Sequence, residues 1–174
     1  MPPQRIMIVG LPGAGKSTFA RKISHSLQIA CYHIDRYYWK PNWQKYTVPE
    51  WLVIHQALID QPSWIIEGCA IKSSFMERFA RADLVIYFNF QRLLCLWRMI
   101  KRSLLPMQSD RPDGCIDGVP WRLIKYMWQF DTSLMQPLWT LAQKKYPHVK
   151  VIVIRNDSQG YSILKELLFL KSIE

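Results

Sequence analysis

With 174 residues and a formal charge of +10, the chain is long enough for one domain with its own core, and it attracts phosphate-rich partners. Hydrophobic residues at 49% and charged residues at 21% exclude a disordered polypeptide. No apolar run approaches the roughly 18 residues that cross a bilayer, and the start lacks the apolar core of a secretory signal, so a cytoplasmic location and no membrane partner are expected.

Charge alone does not separate nucleotides from nucleic acid as the partner. Cys31, Cys69, Cys95 and Cys115 are widely spaced with no C-x-x-C pair, which argues against zinc and fits reduced, mostly buried thiols.

Taken in order, "RIMIVG" (5–10) is an apolar run closed by Gly, as a buried strand is. Residues 16–28 place Phe19, Ala20, Ile23 and Leu27 at helical spacing. "IACYHID" (29–35) reads as a second strand. Pro49 suits the first turn of a helix over "PEWLVIHQALID", with Trp51, Ile54, Leu58 and Ile59 inward. "SWIIEG" (63–68) is a third strand and 72–81 a helix. "ADLVIYFNF" (82–90) is almost continuously apolar, which demands burial on both faces, as in a parallel sheet between helices.

"QRLLCLWRMIKRSLL" (91–105) is the clearest helix, with Leu93, Trp97, Ile100 and Leu104 as its apolar stripe and Arg98 and Arg102 one turn apart elsewhere. The next segment, "PMQSDRPDGCIDGVP" (106–120), is a long loop of the kind that usually carries function. Trp121, Ile124, Trp128, Met135, Leu138 and Ala142 resume a helical period, broken or kinked at Pro137. "VKVIVI" (149–154) is a fifth strand and "SILKELLFL" a closing helix. Strands alternate with helices throughout, so the class is α/β with a five-stranded parallel sheet.

The chemistry starts at "GLPGAGKS". Gly10, Gly15, Lys16 and Ser17 satisfy G-x-x-x-x-G-K-[ST], after a strand and at the head of a helix. Gly10, Gly13 and Gly15 let the backbone take positive φ and approach a ligand closely. Successive N–H groups and the helix N-terminus then face a polyphosphate, Lys16 reaches its β/γ end and Ser17 holds Mg²⁺. Pro12, Ala14 and Thr18 complete the expected ATP-binding run. A plain Gly-rich turn capping a helix is the alternative reading of the same residues.

Phosphoryl transfer also needs a group to orient the acceptor and cations to spread charge. Asp35, placed at the end of the second strand, is the candidate for holding or deprotonating an acceptor hydroxyl. Glu67, ending the third strand, is the candidate acid for metal-bound water beside Ser17. Arg98, Arg102 and Arg111 are candidates to stabilise the transferring group, Arg111 arriving with closure of its loop. His33 reads as a satisfied strand histidine. Trp39 and Trp43 are candidates to stack on a base.

Together "IMIVGLPGAGKSTFARKI", "YHIDRYYWKPNW", "WIIEG", "LLCLWRMIKR" and "RPDGC" resemble the bacterial DNA topology modulation (FlaR-related) proteins, a branch of the adenylate-kinase-like P-loop kinases. The resemblance runs from about Ile6 to Ile154, and its H-x-D-x-x-x-W-K-P-x-W run is specific to that branch. It implies a three-layer α/β/α domain of the nucleoside-monophosphate-kinase kind, ATP and Mg²⁺ binding, and a lid at about 103–120. "D-R-Y-Y" further resembles the D-x-[FY]-Y run of uridine-kinase-like enzymes, where the acid faces the acceptor hydroxyl. Two departures stand out: Glu67-Gly68 replaces the branch's Asp-Gly, and Asn89 stands where an acid usually ends the fourth strand, so Asn89 is given no catalytic role.

Two functions follow from these residues. One is an ATP- and Mg²⁺-dependent kinase of a small molecule, nucleotides and nucleosides being the first acceptors to test. The other is a nucleic-acid-binding or DNA-topology factor with a regulatory ATP site, motivated by charge but lacking any helix-turn-helix or zinc finger. A GTPase switch ranks last, for want of an N-K-x-D signature.

Overall fold

The computed structural model describes residues 3–103, 127–128 and 135–171. In chain order its elements are β1 (Arg5–Gly10), α1 (Lys16–Leu27), β2 (Cys31–His33), α2 (Ile34–Tyr38), β3 (Trp39–Lys40), β4 (Gln44–Lys45), α3 (Val48–Ile59) and β5 (Trp64–Glu67). There follow α4 (Lys72–Arg81), β6 (Leu84–Phe88), α5 (Arg92–Ser103), α6 (Gln136–Lys145), β7 (Lys150–Ile154) and α7 (Asp157–Lys171).

The five long-range strands form one parallel sheet in the order β2-β5-β1-β6-β7. The apolar continuity of "IMIV" and "LVIYF" has the predicted cause: both segments are buried along their whole length. Each such side chain contributes about 1.5–3 kcal/mol relative to exposure, so polar residues are excluded there. On the helical layers α1 packs with α7, while α4 packs with α3 and α6. Helix α3 begins where Pro49 placed it, in a capping box where the Thr47 N–H and hydroxyl donate to Glu50 at 2.8 and 2.7 Å.

Chain order sets the site. β1 lies at the centre, the chain moves to β2 and β5 on one side, and then crosses to β6 and β7 on the other. That reversal opens a crevice at the strand C-termini, where Gly10 pairs with Phe88 and His33 with Glu67.

Four expectations are corrected. The second strand stops at His33, and Asp35 sits in the first turn of α2, since "IDRYY" folds locally into a helix once past the sheet edge. The fourth strand spans Leu84–Phe88 rather than 82–90, its partner β7 ending at Ile154 opposite Phe88. Helix α5 turns Cys95 and Met99 inward, leaving Leu93 70% and Trp97 57% exposed. The cause is the glycine turn after β1: Gly13 lies against the Cys95 carbonyl, so a small residue must face it. In α3, His55 is buried while Ile54 is only half-buried. A small antiparallel hairpin, β3–β4, is added to the expected elements. Leu104, Cys115, Trp121, Ile124 and nearly all of the 103–120 loop lie outside the described residues.

Candidate active site

The turn from Gly10 to Gly15 takes the shape its glycines allow. Gly10, Gly13 and Gly15 have φ of +142°, +81° and +90°. A Cβ on Gly10 would meet the Phe88 carbonyl at 2.4 Å, so this residue lets two strand ends close together. Gly15 differs, with no neighbour within 4 Å of an added Cβ. Its open face lies at the head of α1, where the first amides have no partner within the helix. A concave backbone, an open glycine and a helix N-terminus fit a polyphosphate.

Lys16 is buried, and its Nζ donates to the Leu11 carbonyl at 2.9 Å while standing 3.4 Å from Glu67 Oε1. The Ser17 hydroxyl donates to Glu67 Oε2 at 3.1 Å. The two metal candidates are therefore in direct contact. Glu67 also lies 3.1 Å from His33 Nδ1, so lysine, serine and histidine all address one carboxylate. Burial pushes the Glu67 carboxyl up, but the Lys16 charge and the bonds to His33 and Ser17 outweigh it and hold the group down at about 2. His33 is pushed up to about 10, first by its contact with the Cys31 sulfur and then by Glu67. The site thus carries an ionised acid beside two cations.

A Mg²⁺ ion bound through a hydroxyl, water and phosphate oxygens needs no cage of protein ligands, and among the described residues no cluster of three His, Cys, Asp or Glu forms one. Ser17 and Glu67 are the donor set suited to it.

Asp35 faces the open cleft from α2, and its Oδ1 stands 3.9 Å from where a Cβ on Gly68 would be. Crowding by protein pushes its carboxyl up, as does the Glu67 charge, against the pull of Lys16, Arg78 and His33. Asp35 is exposed, and solvent at its carboxylate tempers the crowding.

The arginines are divided. Arg98 donates to Asp157 at the start of α7 and lies over the Phe90 ring, 5.5 Å from its centre. Arg102 is exposed on the last turn of α5. Arg111 lies outside the described residues, as does the Trp43 side chain. Trp39 packs edge-on against Tyr38, 5.3 Å between ring centres, with Lys45 over its face.

Two residues of this cluster escaped sequence reasoning. His33 is a satisfied strand histidine, as expected, but its partner is Glu67, which the β2–β5 register sets opposite it. Arg78 is wholly buried, with its guanidinium on the carbonyls that follow Glu67. No motif marks either residue; only strand order brings them in.

Two hollows lie elsewhere. One of about 200 Å³ sits at the far ends of β6 and β7 beside Asp83 and Lys150. The other, about 350 Å³, lies between α1 and α7 beside Lys22 and Leu164. Neither is lined by residues of the glycine turn.

No protein-family model and no curated protein sequence matches the chain. Solved structures do. Shikimate kinase from Acinetobacter baumannii, in complex with shikimate, superposes with a TM-score of 0.58 at 16% identity, over 96% of this chain and 92% of that one. The gluconokinase from Sinorhizobium meliloti 1021 gives 0.58 at 16%, over 95% and 90%. Shikimate kinase from Bacteroides thetaiotaomicron gives 0.56 at 17%, over 98% and 99%. The fold is that of the P-loop kinases. At these identities the likeness is one of architecture, and it extends over nearly the whole chain. Among the described residues no helix is long and apolar enough to cross a membrane.

Proposed function

We propose that the chain is a P-loop kinase that transfers a phosphoryl group from ATP to a small-molecule acceptor. The observation that carries this reading is the meeting of Lys16, Ser17 and Glu67 at the glycine turn, with the exposed Asp35 close by, its Oδ1 3.9 Å from where a Cβ on Gly68 would be. A switch or a regulatory site needs the first three, but not an acid presented to a second substrate.

The loop from Gly10 to Thr18 binds the triphosphate, and Lys16 leaves the Leu11 carbonyl for its β/γ oxygens. Ser17 and Glu67 hold Mg²⁺, which when bound neutralises charge on the phosphates. Asp35 accepts the proton of the acceptor hydroxyl as that oxygen attacks the γ-phosphorus and the bridging P–O bond breaks to release ADP, its raised affinity for protons suiting the role. His33 keeps Glu67 oriented. Arg98 and Arg102, both on α5, are the described candidates to spread the charge of the transferring group; Arg111, the third, lies outside the described residues.

Nucleotides and nucleosides head the acceptor panel on the strength of the resemblance to the topology-modulation branch. Sugar acids and related polyols join it because the structural neighbours are named for shikimate and gluconate. The test is turnover of γ-labelled ATP across that panel by wild type and Lys16→Ala. Transfer by the wild type alone supports the reading, and no acceptor turned over by folded wild type ends it.

The +10 charge favours one rival, a nucleic-acid-binding factor of the DNA-topology kind with a regulatory ATP site. Salt-sensitive DNA binding that Lys16→Ala leaves unchanged, in the absence of any phosphoryl transfer, would favour it.

A further inference from the structure

We propose that Arg78 is a positioning residue, setting the place of the metal acid Glu67 relative to Asp35 by gripping the turn that follows β5. What the two acids do rests on the kinase reading above; the grip itself does not.

Arg78 is 0% exposed, yet no carboxylate hydrogen-bonds it among the described residues. All its bonds go to backbone carbonyls: Nε donates to Ser74 at 3.2 Å, Nη1 to Gly68 at 3.0 Å and Nη2 to Cys69. Burying a cation without an acid in contact costs several kcal/mol, and an apolar residue would fill the space at less expense. The charge is retained for what it holds.

What it holds is a strained turn. Directly after Glu67 the chain has Gly68 at φ +115° and Ala70 at φ +53°. The left-handed Ala70 costs about 1–2 kcal/mol and persists only where its surroundings dictate it. Two parallel N–H groups of one planar guanidinium, on the carbonyls of Gly68 and Cys69, supply that constraint.

From this turn contacts run to both walls of the cleft. The Gly68 N–H donates to Ile8 of β1 at 3.0 Å. An added Cβ on Gly68 would strike Ile34 Cγ2 at 2.4 Å, so the turn lies directly against the residue preceding Asp35. Gly10, the first residue of the glycine turn, is also near enough to act on the Cys69 thiol, its backbone opposing the upward push of burial. A shift at Gly68 therefore moves Glu67 from one side and Asp35 from the other.

The test is calorimetry of ATP binding to wild type and Arg78→Lys, first in EDTA and then in MgCl2, with amide hydrogen exchange on both proteins without nucleotide. Lysine keeps the charge but cannot fork across two carbonyls. Arg78→Lys should keep wild-type ATP affinity in EDTA and lose about tenfold or more of the gain that Mg²⁺ confers, the size expected when the support of a metal ligand is removed. Exchange should quicken at residues 68–71 and stay slow along β1. A folded Arg78→Lys with the wild-type magnesium gain overturns the proposal. Equal weakening with and without Mg²⁺ also overturns it, since that is what a purely structural role predicts. Wild type that binds no ATP in either solution removes the kinase reading instead; exchange at 68–71 then decides the grip, and no change there overturns it. If Arg78→Lys does not fold, NMR of wild type replaces it: protected, slowly rotating Nη groups with and without Mg²⁺ and ATP are expected, and freely rotating ones overturn the grip.

Discussion

The Cys95 carbonyl oxygen stands 2.3 Å from where a Cβ on Gly13 would lie, so the phosphate loop and α5 meet backbone to backbone. Gly15, two residues on, meets nothing within 4 Å. Both have positive φ, so their alanine variants share the left-handed strain and differ only in the clash. Gly13→Ala should lose roughly 3 kcal/mol or more, the strain of about 1–2 kcal/mol plus displacement of α5. Gly15→Ala should lose only the strain, yet bind ATP more weakly because its methyl enters the phosphate cradle. Urea denaturation gives the first contrast and calorimetry the second; equal stability losses would show that the loop does not rest on α5.

Asp35→Asn separates binding from transfer. In the proposed reading Asp35 serves the acceptor, while Lys16, Ser17 and Glu67, which contact one another, serve the triphosphate. The variant should bind ATP with Mg²⁺ as wild type does and lose on the order of 10²–10⁴-fold in turnover, the range for a general base. Turnover near that of wild type would remove Asp35 from the chemistry.

The His33–Glu67 pair gives the protein without metal a defined pH dependence. Glu67 lies near 2 when folded against 4.5 unfolded, so its contribution is complete above pH 4.5 and lost as pH falls toward 2. His33 lies near 10 against 6.5, so its contribution is complete below pH 6.5 and lost as pH rises toward 10. The two are complete together only between pH 4.5 and 6.5. Denaturation midpoints in EDTA should show Glu67→Gln flattening the acid limb and only reducing the alkaline one, since Cys31 is the larger cause of the His33 shift; an unchanged alkaline limb would mean that Glu67 adds nothing to it.

His55 works against that window. It is fully buried against Trp51, 3.3 Å from Glu77 but with neither ring nitrogen in hydrogen-bonding geometry. Burial first, then Arg78 and Arg81, bring it down to about 4. The folded state therefore resists its protonation, and stability is lost as pH falls from 6.5 toward 4, by about 3 kcal/mol in full. His55→Leu should be within about 1 kcal/mol of wild type at pH 7, since no buried bond is broken. It should also remove that acid-side slope. A variant with the slope intact would move the titration to another group.

Local pattern carried much of this into the sequence. Strand, glycine turn and helix from Arg5 to Leu27 were legible because each signal lies within a few residues of the next. Lys16, Ser17 and Glu67 were legible because a motif and a strand end mark them. Helix α5 was legible as a helix but not in its facing. Its strongest apolar stripe, Leu93 and Trp97, is exposed, while Cys95 turns inward to leave room for Gly13, a long-range contact no periodicity encodes. The same limit hid Arg78, which reads as one more helix arginine until the turn after β5 folds onto it.

The most direct measurement is calorimetric titration of ATP with Mg²⁺ into wild type and Lys16→Ala, with circular dichroism on both. Removing Lys16 strips the phosphates of their buried ammonium, and a lost electrostatic contact of this kind costs on the order of 10²-fold or more. The account predicts saturable binding by the wild type and its near-complete loss in a variant that keeps the wild-type spectrum. Wild-type protein that is folded and gives no heat with Mg²⁺ and ATP, or a Lys16→Ala protein that binds as tightly, would contradict it.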